Sequence, residues 1–336
     1  MSNLYVVDHG LTMKLERENI VFVKKNEIFN KVRLGAVDRI HVFGNIQFTT
    51  QLLTKLAQCN IPLSVYSQRG EFHYKLDVPI GKNGLRRIRQ YELSRNDTLS
   101  LELAKCFIEA KIKNSMEFIK SYNSHRELTS AKEFLTKMKE LLLALEVTND
   151  RNIIMGIEGF AAKLYFEKYG EIINRYLKFN GRTKRPPLDS ANALLSFGYT
   201  LLANELESLL HGSGCDPFIG FLHGLQYGRS SLALDLCEEF RSPCIDRFVL
   251  YVGSERIFTE EDFEYKNEGC YLNNSALKRF FEEYEKWMNK NIFPGKSFSW
   301  RDIFRNQVER LADTIDKQTV YRPFIYGELY AYSSEL

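Results

Sequence analysis

The first 76 residues set short apolar runs between turn formers. "LYVVDHG", "LTMKLERENIVFVKK" and "EIFNKVRL" mix β-branched and aromatic residues, punctuated at Asp8-His9-Gly10 and Glu18-Asn19, and "VDRIHVFG" adds a further strand. "TTQLLTKLAQCN" then switches to helical spacing, with Leu52, Leu53 and Leu56 on one face. "IPLSVYSQRGEFHYKLD" returns to strand, with Arg69-Gly70 as a hairpin turn. The pattern predicts a small N-terminal β-domain over 1–76, β-sandwich-like and carrying one short helix. Pro79, Gly81 and Gly84 interrupt both periodicities, so 77–91 reads as a linker.

From residue 92 to 336 the apolar positions recur at i, i+3 and i+4. "TLSLELAKCFIEAKIKNSMEFIKSY", "SAKEFLTKMKELLLALEV" and "NIIMGIEGFAAKLYFEKYGEIINRYL" are the first such segments. "LDSANALLSFGYTLLANELESLL" starts at Asp189 as N-cap and stops at "HGSG". The last third, with "LKRFFEEYEKWMNK" and "WRDIFRNQVERLADTI", is again read as amphipathic helix. The expected class is α+β, a small β-domain followed by a larger all-α domain.

Composition narrows the picture only in places. A net charge of +3 over 336 residues identifies no nucleic-acid binder by itself, so any phosphate must be held by local basic patches. The six cysteines form no CxxC pair, which excludes zinc-knuckle spacing and favours reduced core thiols. "MSNLYVVDHG" lacks the order of a signal peptide, and no apolar run reaches the roughly 20 residues of a membrane span. The expected location is cytoplasmic, with no membrane partner.

Candidate chemistry gathers in "GFLHGLQYGRSSLALDLCEEF". If Ser230 or Ser231 caps a helix, Asp235 and Glu238 share a face and Glu239 borders it, with His223 upstream. A surface helix with an acidic edge and a core histidine is the plain alternative. Carboxylates among Leu232, Ala233, Leu234, Leu236 and Cys237 repel unless a cation neutralises them. A further acid, Glu158, lies between Gly156 and Gly159, with Ala162 and Tyr165 on its face. Ile153, Ile154, Met155, Ile157 and Phe160 surround it, which fits an exposed patch poorly. One Glu, one His and a second acid form a hard, oxygen-rich site suited to Mg²⁺ or Mn²⁺.

Basic segments complement it: "GKNGLRRIRQ" with Lys82, Arg86, Arg87 and Arg89, "GRTKRPP" with Arg182, Lys184 and Arg185, and Arg229. Arginine forks suit phosphate, so these are candidate DNA contacts, although each cluster alone also reads as a solvated loop. His9 and His41 are expected in turn or strand, and His73 and His125 stand without nearby acids. His211 is expected to help end its helix at the C-terminal dipole.

In this order, "GIEGFAAKLYF", "GRTKRPPLDSANALLSFGYTLL", "DPFIGFLHG" and "SSLALDLCEEFR" resemble the integrase/nuclease of CRISPR adaptation, which inserts new spacers into the repeat array. The resemblance spans essentially the whole chain. It implies an N-terminal β-domain supplying dimer contacts and a C-terminal helical catalytic domain. It further implies Glu158, His223 and Glu238 as metal ligands, Asp235 in support, and Glu239 outside the set. The implied reaction is transesterification, in which a 3′-hydroxyl of a short duplex attacks a phosphodiester at the repeat boundary. The implied partners are double-stranded and branched DNA, a second copy of the chain, and a small dimeric companion protein. Two rivals remain: a stand-alone metal-dependent nuclease on branched DNA, and a non-catalytic DNA-binding scaffold.

Overall fold

The computed structural model describes residues 2–67, 72–76, 83–123, 131–292 and 298–328. The expected turn at Arg69-Gly70, the breakers Pro79 and Gly81, Lys82 and His125 lie outside the described residues. Two compact units result, one of residues 1–80 with 272–285, the other of 81–271 with 286–336.

In the first unit, β1 (Ser2–Val6), β5 (Val37–Phe43), β7 (Leu63–Tyr66) and β8 (Phe72–Leu76) form one sheet in that order. β4 (Glu27–Arg33), β3 (Asn19–Lys24), β2 (Thr12–Glu16) and β6 (Gln47–Phe48) form the other. Met13, Ile20 and Phe22 of the second sheet, Ile40, Val42, Leu63 and Val65 of the first, and Leu52 and Leu56 of helix α1 (Thr50–Gln58) share one core. Apolar alternation on two sheets closing on one core gives the sandwich, as expected. Thr49 caps α1 by accepting from the Leu52 amide.

The second unit is mostly helical: α2 (Gly84–Arg95), α3 (Asp97–Asn123), α4 (Ala131–Val147), α5 (Arg151–Ile173) and α6 (Ser190–Ser213). After an irregular stretch come α7 (Ser231–Cys237), a π-helical segment at Arg241–Asp246, and α8 (Arg247–Ser254). α9 (Asn274–Met288) belongs up to Glu285 to the first unit, and α10 (Trp300–Lys317) to the second. Asp189 caps α6 through the Asn192 amide, and Gly214 ends it at φ 87°, a left-handed position that favours glycine. These ends fall where the sequence places them.

The structure departs from the sequence reading at three places. Residues 84–91, expected in the linker, open α2, because Asn83 accepts from the Arg86 amide and starts a helix the glycines had masked. The last third holds a two-stranded sheet of β9 (Phe263–Lys266) and β10 (Gly269–Leu272). Its turn residues Asn267 and Glu268 both take positive φ, the chemistry of a tight hairpin. Finally, α7 stops at Cys237, so Asp235, Glu238 and Glu239 do not continue one helix face. No described helix is long and apolar enough to cross a membrane.

Candidate active site

His223 ends an irregular segment that three elements hold in place. Gln90 of α2 is buried, donating to the carbonyls of Asp216 and Ile219 (2.8 Å each) and accepting from the Asp216 amide at 2.8 Å. Arg151, at the start of α5, donates to the carbonyls of Phe221 and Leu222. Asp235 of α7 accepts from the amides of Phe221, Leu222 and His223 at 2.6, 3.0 and 2.9 Å. The same carboxylate meets His223 Nδ1 at 2.7 Å. A Cβ on Gly220 would stand 2.7 Å from Asp235 Oδ2, so only glycine lets the loop approach this carboxylate. Asp235 therefore orients the imidazole and keeps a proton on Nδ1, and Nε2 has no hydrogen-bond partner among the described residues.

Glu158 of α5 and Glu238, one residue past α7, converge on a single buried ammonium, Lys111 of α3. Its Nζ lies 2.7 Å from Glu238 Oε2 and also pairs with Glu158 Oε1. Arg241 Nη2 reaches Glu238 Oε1 at 3.1 Å. Burial would push Glu238 up, but Arg241 and Lys111, aided by His223, hold it down at about 2. Lys111 in turn stays charged: burial works against the ammonium, and the two glutamates more than offset it.

Behind this pair lies a polar network the sequence reading missed. Asp246 is buried and accepts from Tyr165 Oη at 2.7 Å and from Tyr199 Oη. Burial pushes Asp246 up to about 6, although both tyrosine bonds oppose it. The Tyr199 ring carries Arg241 at 5.0 Å and Arg182 at 5.3 Å from its centroid. Glu239 faces elsewhere, accepting from Tyr321 Oη at 2.6 Å and the Phe324 amide at 2.7 Å. Burial pushes its carboxyl up to about 8. Where α7 ends, the three acids thus diverge: Asp235 to the His223 loop, Glu238 to Lys111 and Arg241, Glu239 to the C-terminal segment.

The structure brings Glu158 and Glu238 together on Lys111, and His223, on its Asp235 support, is near enough to Glu238 for its charge to be felt there. Among the described residues no group of three His, Cys, Asp or Glu is gathered closely enough to hold an ion as it stands, and Lys111 bridges the two carboxylates. The donor chemistry still fits a hard divalent cation: two carboxylates meet at one place, held there by Lys111 and Arg241. One expectation is corrected. Ile153, Met155 and Phe160 do not wall Glu158 in but are exposed, since that face of α5 looks outward. Gly156 and Gly159 have nothing within 4 Å of an added Cβ, so neither glycine is required there by close packing.

The basic candidates divide by what already holds them. Arg86 donates to Asp316 (Nη2, 2.6 Å) and to the Ser213 carbonyl, and Arg89 to the Asp316 carbonyl at 3.0 Å, clamping α2 to α10. Arg182 is tied to Asn192 (2.8 Å) and Ser196 (3.1 Å). Arg87 and Arg229 are half-buried, while Lys184 and Arg185 are exposed. Burial, Arg241 and Lys111 depress Lys184, which sets it in the positive surroundings of Glu238.

Lys111 and Asp246 carried a signal that amphipathic reading discards. Lys111 falls on the apolar face of Phe107, Ile108 and Ile112, and Asp246, next to Arg247, lies buried among Cys244, Ile245, Phe248 and Val249 of its own segment. A charge at a core position is paired or functional far more often than not.

Residues 4–286 match the family described as CRISPR associated protein Cas1. The chain is 35% identical over 324 residues to CRISPR-associated endonuclease Cas1 3 of Thermus thermophilus, covering 95% of this chain and 94% of that protein. It is 32% identical over 320 residues to CRISPR-associated endonuclease Cas1 1 of Thermodesulfovibrio yellowstonii, covering 94% and 97%. Its fold is that of a CAS1 protein from Thermotoga maritima (TM-score 0.83, 24% identity, 96% and 99% covered). The fold is shared equally with a casposase bound to integration product (TM-score 0.82, 22% identity, 97% and 93% covered).

Proposed function

The chain belongs to the CRISPR-associated Cas1 family, and from that premise we propose that it is a metal-dependent DNA endonuclease and integrase of CRISPR adaptation. It joins the 3′-hydroxyl of a short duplex to a phosphodiester of the repeat array by transesterification. The observation that carries this reading is the convergence of Glu158 and Glu238 on one buried cation, Lys111, with His223 oriented by Asp235.

Glu158, Glu238 and His223 Nε2 would hold Mg²⁺ or Mn²⁺. Such an ion, when bound, polarises a phosphoryl oxygen and lowers the pKa of the attacking hydroxyl. The remaining work falls to the protein. Arg241 keeps Glu238 ionised, and the Asp246–Tyr199 network holds Arg241 against the tyrosine ring. Asp235 fixes the imidazole with its proton on Nδ1, leaving the Nε2 lone pair facing the chemistry. Lys184 and Arg185, with Arg229 on the His223 side, supply cations for the DNA backbone. Branched DNA is a substrate of the same site in the reverse direction. Catalysis is carried out by a homodimer with the small dimeric companion protein, the β-domain supplying the dimer contacts, in the cytoplasm.

The test is strand transfer of a short 3′-hydroxyl duplex into repeat-bearing DNA, with the companion present, under Mg²⁺, Mn²⁺ or chelator. Joined product with either ion and none under chelator is expected. Equal product under chelator, or cleavage with no joining, would overturn the proposal.

A further inference from the structure

Glu238 sits on a weak piece of backbone. Between α7 and the π-helical segment the chain turns through i→i+3 bonds. The Glu238 amide donates to the Asp235 carbonyl at 3.2 Å, Glu239 to Leu236 at 3.3 Å and Phe240 to Cys237 at 2.9 Å. Bonds of this kind have poorer geometry than those of an α-helix, so such a turn is placed by what grips it from outside. Lys111 and Arg241 grip the Glu238 carboxylate itself. A cation taking that carboxylate competes with both, which leaves the backbone of the turn to be held by other groups.

Asn114 of α3 is the first of these. It lies three residues beyond Lys111 on the same helix, is buried, and donates from Nδ2 to the Glu239 carbonyl at 2.8 Å. The same Nδ2 donates to the Phe324 carbonyl at 2.9 Å, and Oδ1 accepts from the Tyr326 amide at 2.7 Å. One side chain thus ties the turn to the C-terminal segment 321–326. The Glu239 carboxyl is the second, accepting from Tyr321 Oη at 2.6 Å and from the Phe324 amide at 2.7 Å. Gln307 of α10, itself buried, sets the segment by donating to Tyr321 Oη at 2.7 Å and to the Arg322 carbonyl at 2.8 Å. Phe240 of the turn stacks on Phe324, with centroids 5.3 Å apart and 30° between planes.

Apolar packing alone would hold residues 321–326 against the core without fixing their register. Directional bonds from buried polar groups do fix it, and Glu239, Asn114 and Gln307 all aim at this one short segment. A buried carboxyl is also a costly choice beside a proposed ligand, where an apolar side chain would pack. We propose that Glu239 and Asn114 are positioning residues of the cation centre: through them residues 321–326 fix the turn that presents Glu238. The inference rests on the metal-dependent reading above and adds the C-terminal segment to what serves that site.

The test reads metal binding without DNA or turnover. Mn²⁺ is titrated into the full-length protein and the free ion is followed by electron paramagnetic resonance, the binding lost in Glu238→Gln defining the site. Glu239→Gln and Asn114→Ala should each weaken that binding about tenfold or more, the size typical of groups that orient a metal ligand. Tyr321→Phe, which removes one oxygen and keeps the ring, should weaken it roughly threefold, and it decides the matter if the other two fail to fold. Arg86→Ala loosens the same unit at α10. It should lower the melting temperature while Mn²⁺ affinity stays within about twofold of wild type. Wild-type affinity in the folded members of the set overturns the positioning role and leaves the metal centre standing. A loss matched by Arg86→Ala reduces the effect to general destabilisation and overturns the role as well. Wild-type protein with no Mn²⁺ binding that depends on Glu238 overturns the metal-dependent reading and the positioning role together.

Discussion

Replacing Lys111 with methionine removes the ammonium shared by Glu158 and Glu238 while keeping most of the volume of its stem. The pair is well shielded: the side chains of Lys111, Glu238 and Glu158 are 13%, 3% and 22% exposed. Breaking a buried ion pair by deleting one partner costs about 3–5 kcal/mol, because the other charge is left uncompensated. Two features reduce that here. Arg241 still holds Glu238 at 3.1 Å, and Glu158 can draw on water. The expected loss is about 2–3 kcal/mol, or roughly 4–8 °C in melting temperature. The assay is thermal unfolding followed by far-UV circular dichroism at neutral pH, under chelator and then with Mn²⁺ added. Lys111→Met should melt lower under chelator and regain more than wild type on adding the ion, which no longer competes with an ammonium. Lys111→Arg, which keeps the charge, should lose less. Unchanged melting under chelator, or equal gains from Mn²⁺ in both proteins, would refute the shared-cation argument.

Asp246→Asn tests the network behind the site through pH. The folded pKa of about 6 lies above the ordinary aspartate value of about 4, so the native state binds the extra proton, and the contribution of Asp246 to wild-type stability falls as pH rises from about 4 to about 6. Asparagine does not titrate. The stability advantage of wild type over Asp246→Asn, read by urea denaturation, should therefore shrink by up to about 3 kcal/mol between those limits, and a flat difference would exclude it. Gly220→Ala should cost about 1–3 kcal/mol by pushing a Cβ into Asp235 Oδ2 and Ser231, and should reduce strand transfer through displacement of His223. An active, equally stable Gly220→Ala protein would show that the loop tolerates the shift. Arg86→Ala should lower melting temperature by releasing Asp316, with the salt dependence of DNA affinity nearly unchanged. A salt slope reduced by about one would instead place Arg86 on the phosphates.

Much of the fold is legible because local patterns and caps agree with it. Asp189 and Gly214 bracket α6, and period-two apolar runs converge on a shared sandwich core around Ile20, Ile40 and Leu63. What escaped the sequence depends on contacts distant along the chain. The helix residues 272–285 join the first unit, where Tyr5 stacks on Phe281 at 4.2 Å and Lys278 pairs with Asp8 at 2.8 Å, and no local period announces such pairings. In the site, Glu158, His223, Glu238 and Asp235 were all singled out in the sequence, the support by Asp235 through the family resemblance. Their order of contact was not. Helix spacing put Asp235 and Glu238 on one face with Glu239 at its border, whereas the end of α7 at Cys237 sends them three ways. Lys111 escaped because a lysine at a core position is averaged into an otherwise ordinary amphipathic helix. Arg86 and Arg89 looked like phosphate contacts because a sequence cannot show that Asp316 is waiting for them.

The central claim is that Glu158, His223 and Glu238 act as one cation-dependent centre for joining DNA ends. The most direct measurement is Mn²⁺-dependent strand transfer by Glu158→Gln, His223→Ala and Glu238→Gln, each checked for fold by circular dichroism and for duplex binding by anisotropy. All three should keep fold and DNA binding and lose joining to a common background, because residues that act as a unit fail together. Metal-dependent joining at the wild-type rate by any folded member of the set would contradict it.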